Sequence, residues 1–537
     1  ISNNYVTGSV NGANDVGGLV GLNTGSITNG YGRVNVQGGL RVGGLAGKSS
    51  GNISNSHATG EVNGLYDYVG GLVGLNDEGV ITQSYALGVV EGRNYVGGLV
   101  GYNLGGSIAA SYALGDVSGN DYLGGVTGWN SGQINNTYAA GDVAIADYAG
   151  GLVGFNNAGS VSNSFWDTDT TDQILATGHN NAELSGLVGL STQAFLNEDN
   201  FTSETDSNND TNANWDFTSG TGTWYMIEGE TRPFLQSEYS TTITNSHQLQ
   251  LMAMDLTADY TLANNINMAA EFNNISGLWA TDTDASAGRG FVPLGTFGER
   301  FTGSLDGNAH SISDLNINRS ASTGVGLFGY GAGDVSNLNL LNVNITGATS
   351  VGGLAGVNHG NITNSLVTGT LVGDGLVGGM VGYNQISGSI HDSIADVNVQ
   401  SSGSIGGIGG LVGSNYGVIE NSHAAGGVIG ISQVGGLVGR NANEISQSYA
   451  TASVSGTSSI GGLAGKNFGN GDINQSYASG AVTGSDYVGG LVGLNNGATI
   501  SQSYALGAVR GSDYVGGLVG LNDEGVITQS YALGVVE

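Results

Sequence analysis

One short unit recurs along most of this chain, and its period limits the folds that the chain can adopt. The unit is built around the run Val69–Gly74, VGGLVG, and a pair of adjacent glycines marks each of its thirteen copies. The pairs begin at Gly17, Gly43, Gly70, Gly97, Gly124, Gly150, Gly352, Gly378, Gly409, Gly435, Gly461, Gly489 and Gly516. Most consecutive pairs lie about 26 or 27 residues apart, and a fixed period of this length indicates a repeat architecture in which each repeat is one structural layer.

The residues inside one repeat favour β-structure. Asp67–Gly92 contains three short apolar runs separated by Gly, Asn or Asp, and none of them has apolar residues at helical spacing. The chain has 100 glycines among its 537 residues, and an interior glycine costs a helix about 1 kcal/mol relative to alanine. We therefore predict an all-β chain that forms a parallel β-solenoid (β-helix). Each coil of about 26 or 27 residues is expected to hold three short strands and to stack about 4.8 Å from the next coil.

Stacking places equivalent residues in columns, and one column is made of asparagine. The position after VGGLVGx is Asn in twelve of thirteen copies, with Ser49 as the exception. Asparagine tolerates the left-handed backbone of a sharp corner, and its amide can bond to the asparagine above and below. We predict an inward-facing ladder at one corner of the coils. Its members are Asn23, Asn76, Asn103, Asn130, Asn156, Asn358, Asn384, Asn415, Asn441, Asn467, Asn495 and Asn522.

A second column is aromatic, and it leaves two interpretations open. Its members are Tyr85, Tyr112, Tyr138, Tyr449, Tyr477, Tyr504 and Tyr531, with Tyr5, Tyr31 and Phe165 at equivalent positions. Aromatic side chains on adjacent strands stabilise a sheet, so the column is interpreted first as a stacked ladder that holds the register. The alternative interpretation is a strip that binds carbohydrate or another surface.

A third column is acidic. Asp67, Asp121, Asp147, Asp486 and Asp513 are each followed by Tyr. Neighbouring carboxylates about 4.8 Å apart repel each other unless solvent or a cation lies between them, and Ca²⁺ prefers oxygen ligands. The column is therefore a candidate site for Ca²⁺, although no cofactor is required by the predicted function. The other interpretation is a set of solvated turns on an acidic surface.

A second candidate metal site lies where the regular repeat breaks. Asp167 and Asp169 occur in the sequence FWDTDTTD and could supply carboxylates to the same kind of ion.

Charge and composition exclude several classes of protein. The 11 basic and 43 acidic residues give a net charge of −32, which argues against nucleic acid or an anionic membrane as a partner. No apolar run approaches the length of a bilayer-spanning helix, so we predict none. Gly324–Gly329, GVGLFG, matches a dinucleotide-binding string but lies in a predicted strand instead of opening a helix. Lys48 and Lys466 are the only lysines, and this weakens the interpretation as a polysaccharide lyase.

The regular repeats are interrupted in the middle of the chain. Both prolines and four of the five tryptophans fall between residues 165 and 300. Trp224–Leu235 is interpreted as a strand and turn, and His247–Met254 as a short helix. Asn197–Asn214 is acidic and predicts a loop. The predicted divisions are 1–165, solenoid coils; 166–240, an irregular closing segment with the acidic loop; 241–350, the opening of the next large unit; and 351–537, solenoid coils.

A much longer repeat is also visible. The stretches Asp67–Glu91 and Asp513–Glu537 have the same sequence from end to end. We expect from this identity that the chain is a segment of a longer tandem array, because uncapped ends would expose strand edges.

The pattern VGGLVGxNxGxIxxSYAxGxV resembles the Glug repeat of bacterial surface exoproteins. The block that starts with HQLQLMAM resembles the opening of such a unit, and Asn163–Asp167, NSFWD, with Trp224–Leu235 resembles its closing. Together they are similar to filamentous-haemagglutinin-type adhesins exported by two-partner secretion. The resemblance implies a right-handed parallel β-helix and an adhesive or matrix role at the cell surface. It implies no catalytic residue.

The predicted function is a non-enzymatic segment of a large secreted bacterial surface adhesin or extracellular fibre. Two alternatives remain open: a carbohydrate-active β-helix enzyme, and a passive stalk that presents a distal binding domain. The expected partners are a host or abiotic surface, carbohydrate or other matrix components, or further copies of the chain.

Overall fold

The computed structural model describes residues 1–202, 214–280 and 289–537. The chain divides into two compact units. Unit 1 comprises Ile1–Glu238 with Glu271–Gly288, and unit 2 comprises Tyr239–Ala270 with Arg289–Glu537. In each unit, short strands pair in parallel with the equivalent strands of the neighbouring coils. The predicted parallel β-solenoid is therefore confirmed.

Three sheets form the sides of unit 1. The glycine sheet has six strands: Asn14–Gly17, Leu40–Gly43, Val69–Gly70, Asn94–Gly97, Asp121–Gly124 and Ala149–Gly150. The asparagine sheet has seven: Val20–Asn23, Ala46–Ser49, Val73–Asp77, Val100–Leu104, Thr127–Asn130, Val153–Asn156 and Thr177–Asn180. The tyrosine sheet has thirteen: Ser2–Asn11, Ser26–Gly38, Asn52–Ser54, His57–Ala58, Val62–Gly64, Val80–Thr82, Tyr85–Ala86, Val90–Glu91, Ser107–Ala113, Val117–Ser118, Gln133–Ala139, Ser160–Asp167 and Glu183–Leu190.

Unit 2 also has three sheets, but its glycine and tyrosine strands join in one. The isoleucine sheet has eleven strands: Thr242–Ile243, Asp259–Leu262, Ser304–Asp306, Asp334–Ser336, Asn361–Thr363, Ser389–His391, Val418–Glu420, Glu444–Ser446, Asp472–Asn474, Thr499–Ser501 and Val526–Thr528. The asparagine sheet has eight: Phe328–Gly331, Ala355–Asn358, Val381–Asn384, Val412–Asn415, Val438–Asn441, Ala464–Phe468, Val492–Asn496 and Val519–Asp523. The joined sheet has twenty: Ile266–Asn267, Ser311–Ser313, Asn316–Val325, Asn339–Gly352, Leu366–Gly373, Gly375–Gly378, Ile394–Ser401, Ile408–Gly409, His423–Ile429, Ser432–Gly435, Tyr449–Ala450, Ser453–Ser455, Ser458–Gly461, Tyr477–Ala478, Val482–Thr483, Asp486–Gly489, Tyr504–Ala505, Val509–Arg510, Asp513–Gly516 and Tyr531–Ala532.

The strand register brings like residues together. Asn76 pairs with Asn103, and Tyr85 pairs with Tyr112. The apolar positions follow the same rule, since Ile81 pairs with Ile108. Every column read from the repeat is therefore a physical row along the unit. The buried apolar rows form the core, because β-branched side chains pack well on a pleated surface.

The glycine pair turns the chain from one sheet into the next. Val69–Gly70 lies in the glycine sheet and Val73–Asp77 lies in the asparagine sheet. A Cβ added to Gly70 would lie 2.1 Å from the carbonyl oxygen of Val73, and one added to Gly71 would lie 2.1 Å from the carbonyl oxygen of Gly98. The run VGGLVG, taken as one apolar run in the sequence, is thus two strands in two sheets. Only glycine allows the backbone to approach so closely at the corner.

The interrupted middle of the chain holds the helices and the hairpin. The helical segments are Ala194–Leu196, Asp199–Thr202, Gln236–Glu238, Ser246–Leu251, Met252–Met254 and Ala269–Phe272. The Asn245 side chain accepts a hydrogen bond from the backbone N–H of Gln248 and so caps the helix predicted at His247–Met254. The strand and turn predicted in Trp224–Leu235 form an antiparallel hairpin, in which Trp224–Tyr225 pairs with Phe234–Leu235.

Most of the predicted acidic loop, at residues 203–213, lies outside the described residues. Within the part of the chain that is described, no helix is both long enough and apolar enough to span a bilayer.

Candidate functional site

The asparagine column is a chain of buried amide–amide hydrogen bonds. Asn76 Nδ2 donates to Asn103 Oδ1 at 2.8 Å, and Asn103 Nδ2 donates to Asn130 Oδ1 at 2.8 Å. The same amide nitrogen of Asn76 also donates to the backbone carbonyl of Gly79 at 3.0 Å. In unit 2 an unbroken series of such bonds, 2.7–3.0 Å long, joins Asn358, Asn384, Asn415, Asn441, Asn467, Asn495 and Asn522. All members except the exposed Asn522 are buried. Buried amides that bond to one another follow the general rule that buried polar groups find hydrogen-bond partners.

The ladder of unit 1 differs from that of unit 2 in two places. Asn156 donates to Asn180 at 2.9 Å, so Asn180 continues the column beyond the last repeat that the sequence identified. At the other place Ser49 replaces asparagine. Asn23 donates to Ser49 Oγ at 3.0 Å, but the Ser49 hydroxyl donates to Gly51, and the buried Oδ1 of Asn76 has no hydrogen-bond partner.

The aromatic column is a stack of parallel rings. In unit 1 the Tyr85 and Tyr112 ring centroids lie 4.9 Å apart, with planes 1° from parallel, and Tyr138 follows at 5.0 Å. In unit 2 the rings of Tyr477 and Tyr504 lie 5.0 Å apart, with planes 2° from parallel. The rings of Tyr449 and Tyr531 extend this second stack at its two ends. Because ring faces are taken by neighbouring rings, a ligand can reach only ring edges, which favours the register ladder over a binding strip.

The sequence missed two members of these stacks. His57 lies between Tyr31 and Tyr85, with ring centroids 4.8 and 4.6 Å away. His423 stacks on Tyr449 at 4.5 Å. Both histidines occupy the tyrosine position of the repeat, in SHA instead of SYA. An alignment of the repeats could therefore have predicted that both histidines belong to the stacks.

The irregular segment Trp215–Glu238 of unit 1 lies over the tyrosine stack, and we call this segment the cover. Tyr112 donates its hydroxyl to Glu238 Oε1 at 2.9 Å, and Tyr138 donates to the backbone carbonyl of Pro233 at 2.7 Å. Trp215 and Trp224 stack on each other at 4.2 Å and lie against Tyr138. Burial, and then the negative charge of Glu238, raise the pKa of Tyr112 well above its ordinary value. These tyrosines are closed to solvent.

A buried ion pair anchors this cover. The Arg232 guanidinium donates to the carboxylate of Asp167, and both side chains are fully buried. Arg232 also donates to the backbone carbonyl of Ile275 at 2.9 Å. Thr192 Oγ1 donates to Asp167 at 2.9 Å, and the backbone N–H of Thr192 donates to Asp169 at 2.9 Å. We call these four side chains, Asp167, Asp169, Thr192 and Arg232, the closing clasp. The two carboxylates considered for a second metal site are therefore engaged by protein donors.

The acidic column is a row of pairs instead of a cluster. Asp486 pairs in register with Asp513, whereas Asn94 separates Asp67 from Asp121 and donates to Asp67 at 3.0 Å. Asp147 is exposed in the coil that follows Asp121. Among the described residues no group of three or more His, Asp or Glu is placed to hold a metal ion. Binding of Ca²⁺ at these pairs stays a prediction.

A further group of aromatic residues lies on the outside of unit 1. Tyr68, Tyr95, Tyr122 and Tyr148 stack at 4.9–5.1 Å in one row. Tyr102, Trp129 and Phe155 form a second row beside it, and Trp129 lies 5.2 Å from Tyr122. All seven side chains are partly exposed, and we call them the aromatic face. In the sequence these tyrosines mark only the acidic turns. The second row was not predicted, although three successive copies of VGGLVGxN carry an aromatic residue at the variable position x.

A polar groove adjoins the aromatic face. It encloses about 450 Å³ and is lined by glycine and alanine together with Ser131, Gln133, Ser160, Asn181 and Glu183. The Ser131 hydroxyl donates to the Tyr102 hydroxyl at 3.4 Å, and this contact joins the groove to the aromatic face. The two features therefore form one surface of unit 1.

Comparison with known proteins identifies the repeat. The family model described as the GLUG motif matches residues 38–63, 92–118, 430–455 and 456–483. The chain thus contains GLUG-motif repeats in both units, and this part of the predicted resemblance is confirmed. The likeness to filamentous-haemagglutinin-type adhesins stays a prediction.

Two individual proteins are similar to parts of the chain. Halomucin of Haloquadratum walsbyi is 41% identical over 145 residues, which is 25% of this chain and 2% of halomucin. The chain therefore corresponds to a very small part of that relative. A crystal structure of a Bacteroides ovatus protein described as an immunoglobulin A1 protease covers 55% of this chain and 83% of its own, with 19% identity and a TM-score of 0.28.

Proposed function

We propose that this chain is a non-enzymatic segment of an extracellular or cell-surface repeat protein that serves attachment or matrix formation. The observation that carries the proposal is how the polar side chains of the repeat are used. The asparagine ladder bonds to itself from Asn358 to Asn522, and the tyrosine stack of unit 2 packs ring on ring. These residues hold coils together and so serve a scaffold.

The charge and the relatives support an extracellular setting. A net charge of −32 keeps a repetitive chain soluble and deters self-aggregation. The similarity to halomucin, whose name describes a mucin, fits a secreted or surface-associated protein. The matched GLUG motifs fit the same setting.

Localisation on intact cells tests the proposal. Antibodies against the chain should label unpermeabilised producing cells or the material between them, and external protease should remove the label. A cytoplasmic enzyme of the same cells is the control for lysis. Labelling that appears only after lysis would contradict an extracellular role.

Attachment separates the adhesive role from that of a passive stalk. Beads coated with the purified chain should aggregate or attach to cells or to their matrix, whereas beads coated with serum albumin should not. A coated bead that binds nothing would leave the stalk as the better interpretation.

A further inference from the structure

We propose that the aromatic face and the adjoining polar groove of unit 1 form a binding site for a neutral polysaccharide. The inference deepens the proposed function and rests on it in one respect, since an extracellular segment is one that meets polysaccharide. The two features meet at the Ser131–Tyr102 hydrogen bond. Together they offer the partly exposed indole of Trp129, the edges of the tyrosine row beside it, and polar side chains that match sugar hydroxyls.

The solenoid does not need tyrosine in the first row of the aromatic face. Tyr68, Tyr95 and Tyr122 have positive φ angles of 66°, 56° and 56°, a region that is unfavourable for bulky side chains. At the equivalent corner with positive φ, other coils place Asp15, Arg41, Ser350, Leu376, Gln433 and Ser459, and two coils of unit 2 place Tyr487 and Tyr514. The corner accepts side chains of many kinds, so the fold itself does not require a ring there. What sets unit 1 apart is the second aromatic row that lies beside its tyrosines.

Trp129 differs from the rings around it. Its plane is turned 69° from that of Tyr95, 73° from that of Tyr102 and 65° from that of Tyr122. Because the tyrosine rings are stacked along the row, the indole plane runs along the row instead of across it. A partly exposed indole in this orientation crosses the boundary between successive coils. It can pack against the apolar C–H face of a sugar in a chain that runs along the unit.

The groove supplies complementary polar groups. Ser131, Gln133, Ser160 and Asn181 offer hydroxyl and amide groups, which both donate and accept hydrogen bonds. Glu183 is the single charged side chain of the lining. Sugar hydroxyls are matched by groups of this kind.

Charge decides between classes of polysaccharide. Asp67, Asp121 and Asp147 directly precede Tyr68, Tyr122 and Tyr148 in the sequence. Their carboxylates repel sulfated, phosphorylated or uronic acid chains. A cationic peptide would be attracted to them but would leave the neutral lining of the groove unused. A neutral polysaccharide uses both parts of the surface.

Unit 2 provides a natural control. Tyr487 and Tyr514 stack at 4.9 Å in the equivalent row, but Leu494 and Leu521 occupy the positions of the second row. These coils of unit 2 therefore lack the second aromatic row. The inference predicts that unit 1 binds the polysaccharide and that these coils do not.

Affinity electrophoresis of the full chain tests the inference. Native gels would contain a soluble mixed-linkage β-glucan, a soluble α-glucan or a galactomannan, with alginate as the anionic probe, and soluble poly-lysine would be titrated separately. The site variants are Trp129→Ala/Tyr102→Ala and Tyr95→Ser/Tyr122→Ser. The second variant uses the serine that other coils carry at that corner. Tyr487→Ser/Tyr514→Ser in unit 2 is the matched control, and thermal unfolding of every variant verifies that it is folded.

At least one neutral polysaccharide should retard the chain. Both site variants should bind it at least tenfold more weakly, and the control should stay within twofold of the parent. Binding to none of the neutral polysaccharides, binding only to poly-lysine or alginate, or undiminished binding by folded site variants would overturn the inference. Beads that attach to cells without any polysaccharide binding would defeat the inference and leave the proposed function intact. If the chain binds polysaccharide but is found only inside cells, the proposed function fails and the binding site itself stands.

Discussion

The tyrosine column exists in both units, and its surroundings differ. In unit 1, Tyr112 and Tyr138 are fully buried beneath Trp224 and bond to Glu238 and Pro233. In unit 2, the rings of Tyr477 and Tyr504 stack with nearly the same spacing and remain partly exposed. Stacking is therefore a property of the repeat alone. Burial is added by a non-repetitive segment that is clasped onto one unit.

The largest expected effect comes from removing the anchor of the cover. Arg232→Met leaves the Asp167 carboxylate buried without its partner and should destabilise unit 1 by about 3–5 kcal/mol. Chemical denaturation followed by tryptophan fluorescence would measure the loss, because Trp215 and Trp224 lie in the cover. Arg510→Met, which breaks the exposed pair with Glu537, is the control and should cost less than about 1 kcal/mol. Equal effects of the two variants would show that the clasp does not hold the cover.

Removing one tyrosine ring from the column should lower the free energy of unfolding by different amounts in the two units. Tyr138→Ala leaves a cavity under the cover and should cost about 3–5 kcal/mol, as other buried aromatic truncations do. Tyr504→Ala removes a partly exposed ring from between Tyr477 and Tyr531. It should cost about 2 kcal/mol, because two aromatic pairs of about 1 kcal/mol each are lost. Denaturation midpoints of the two variants would measure the difference. Similar losses would mean that burial adds nothing to the stack.

The asparagine ladder should not distinguish the units. Asn103→Ala in unit 1 and Asn415→Ala in unit 2 each remove an amide between two bonded neighbours, so each should cost about 1–3 kcal/mol. Asn103→Asp should cost more, because it buries a charge. Thermal unfolding of each variant measures the loss, and Asn496→Ala on the exposed surface is the control. If the ladder variants melt at the same temperature as the parent, the asparagine ladder does not stabilise the coils.

The smallest effect is expected from a substitution that completes the interrupted asparagine ladder of unit 1. Ser49→Asn would place a donor opposite the unpartnered Oδ1 of Asn76 and should stabilise unit 1 by about 1 kcal/mol. Ser50→Asn, one residue further along, is the matched control because Ser50 is exposed. A rise in the melting temperature of the first variant alone is expected. A fall would mean that the corner at Ser49 has no room for the amide.

The period of the repeat was sufficient to predict the parallel solenoid, its columns and its apolar core. Parallel stacking converts the spacing of the glycine pairs along the sequence directly into contacts between coils. The bend at each glycine pair was not predicted, because a short apolar run does not reveal where it turns from one sheet to the next.

The cover and the aromatic face could not be predicted in the same way. Arg232 and Asp167 are 65 residues apart and belong to no repeat, so no period relates them. The aromatic face depends on two rows meeting across a corner, as Tyr95 and Tyr102 do at 6.4 Å. A contact of that kind depends on the angle between two sheets, which the repeat pattern does not contain.

Residue-resolved labelling of tyrosines as the pH is raised tests the central claim most directly. Burial raises the pKa of Tyr85, Tyr112 and Tyr138 well above the ordinary value. The unfolded chain therefore loses these phenol protons at lower pH than the folded chain. The resulting stability is present below about pH 10 and is lost as the pH rises further.

A phenolate-selective reagent followed by peptide mass spectrometry would report each tyrosine. The account predicts that Tyr504 and Tyr531 are labelled while the chain is still folded, because solvent reaches their rings, whereas Tyr112 and Tyr138 stay protected until unit 1 unfolds and then react together. In the variant Arg232→Met, the joint labelling of Tyr112 and Tyr138 should begin at lower pH, because unit 1 is less stable. Labelling of Tyr112 and Tyr138 at the same pH and rate as Tyr504, in a chain that is still folded, would contradict the account.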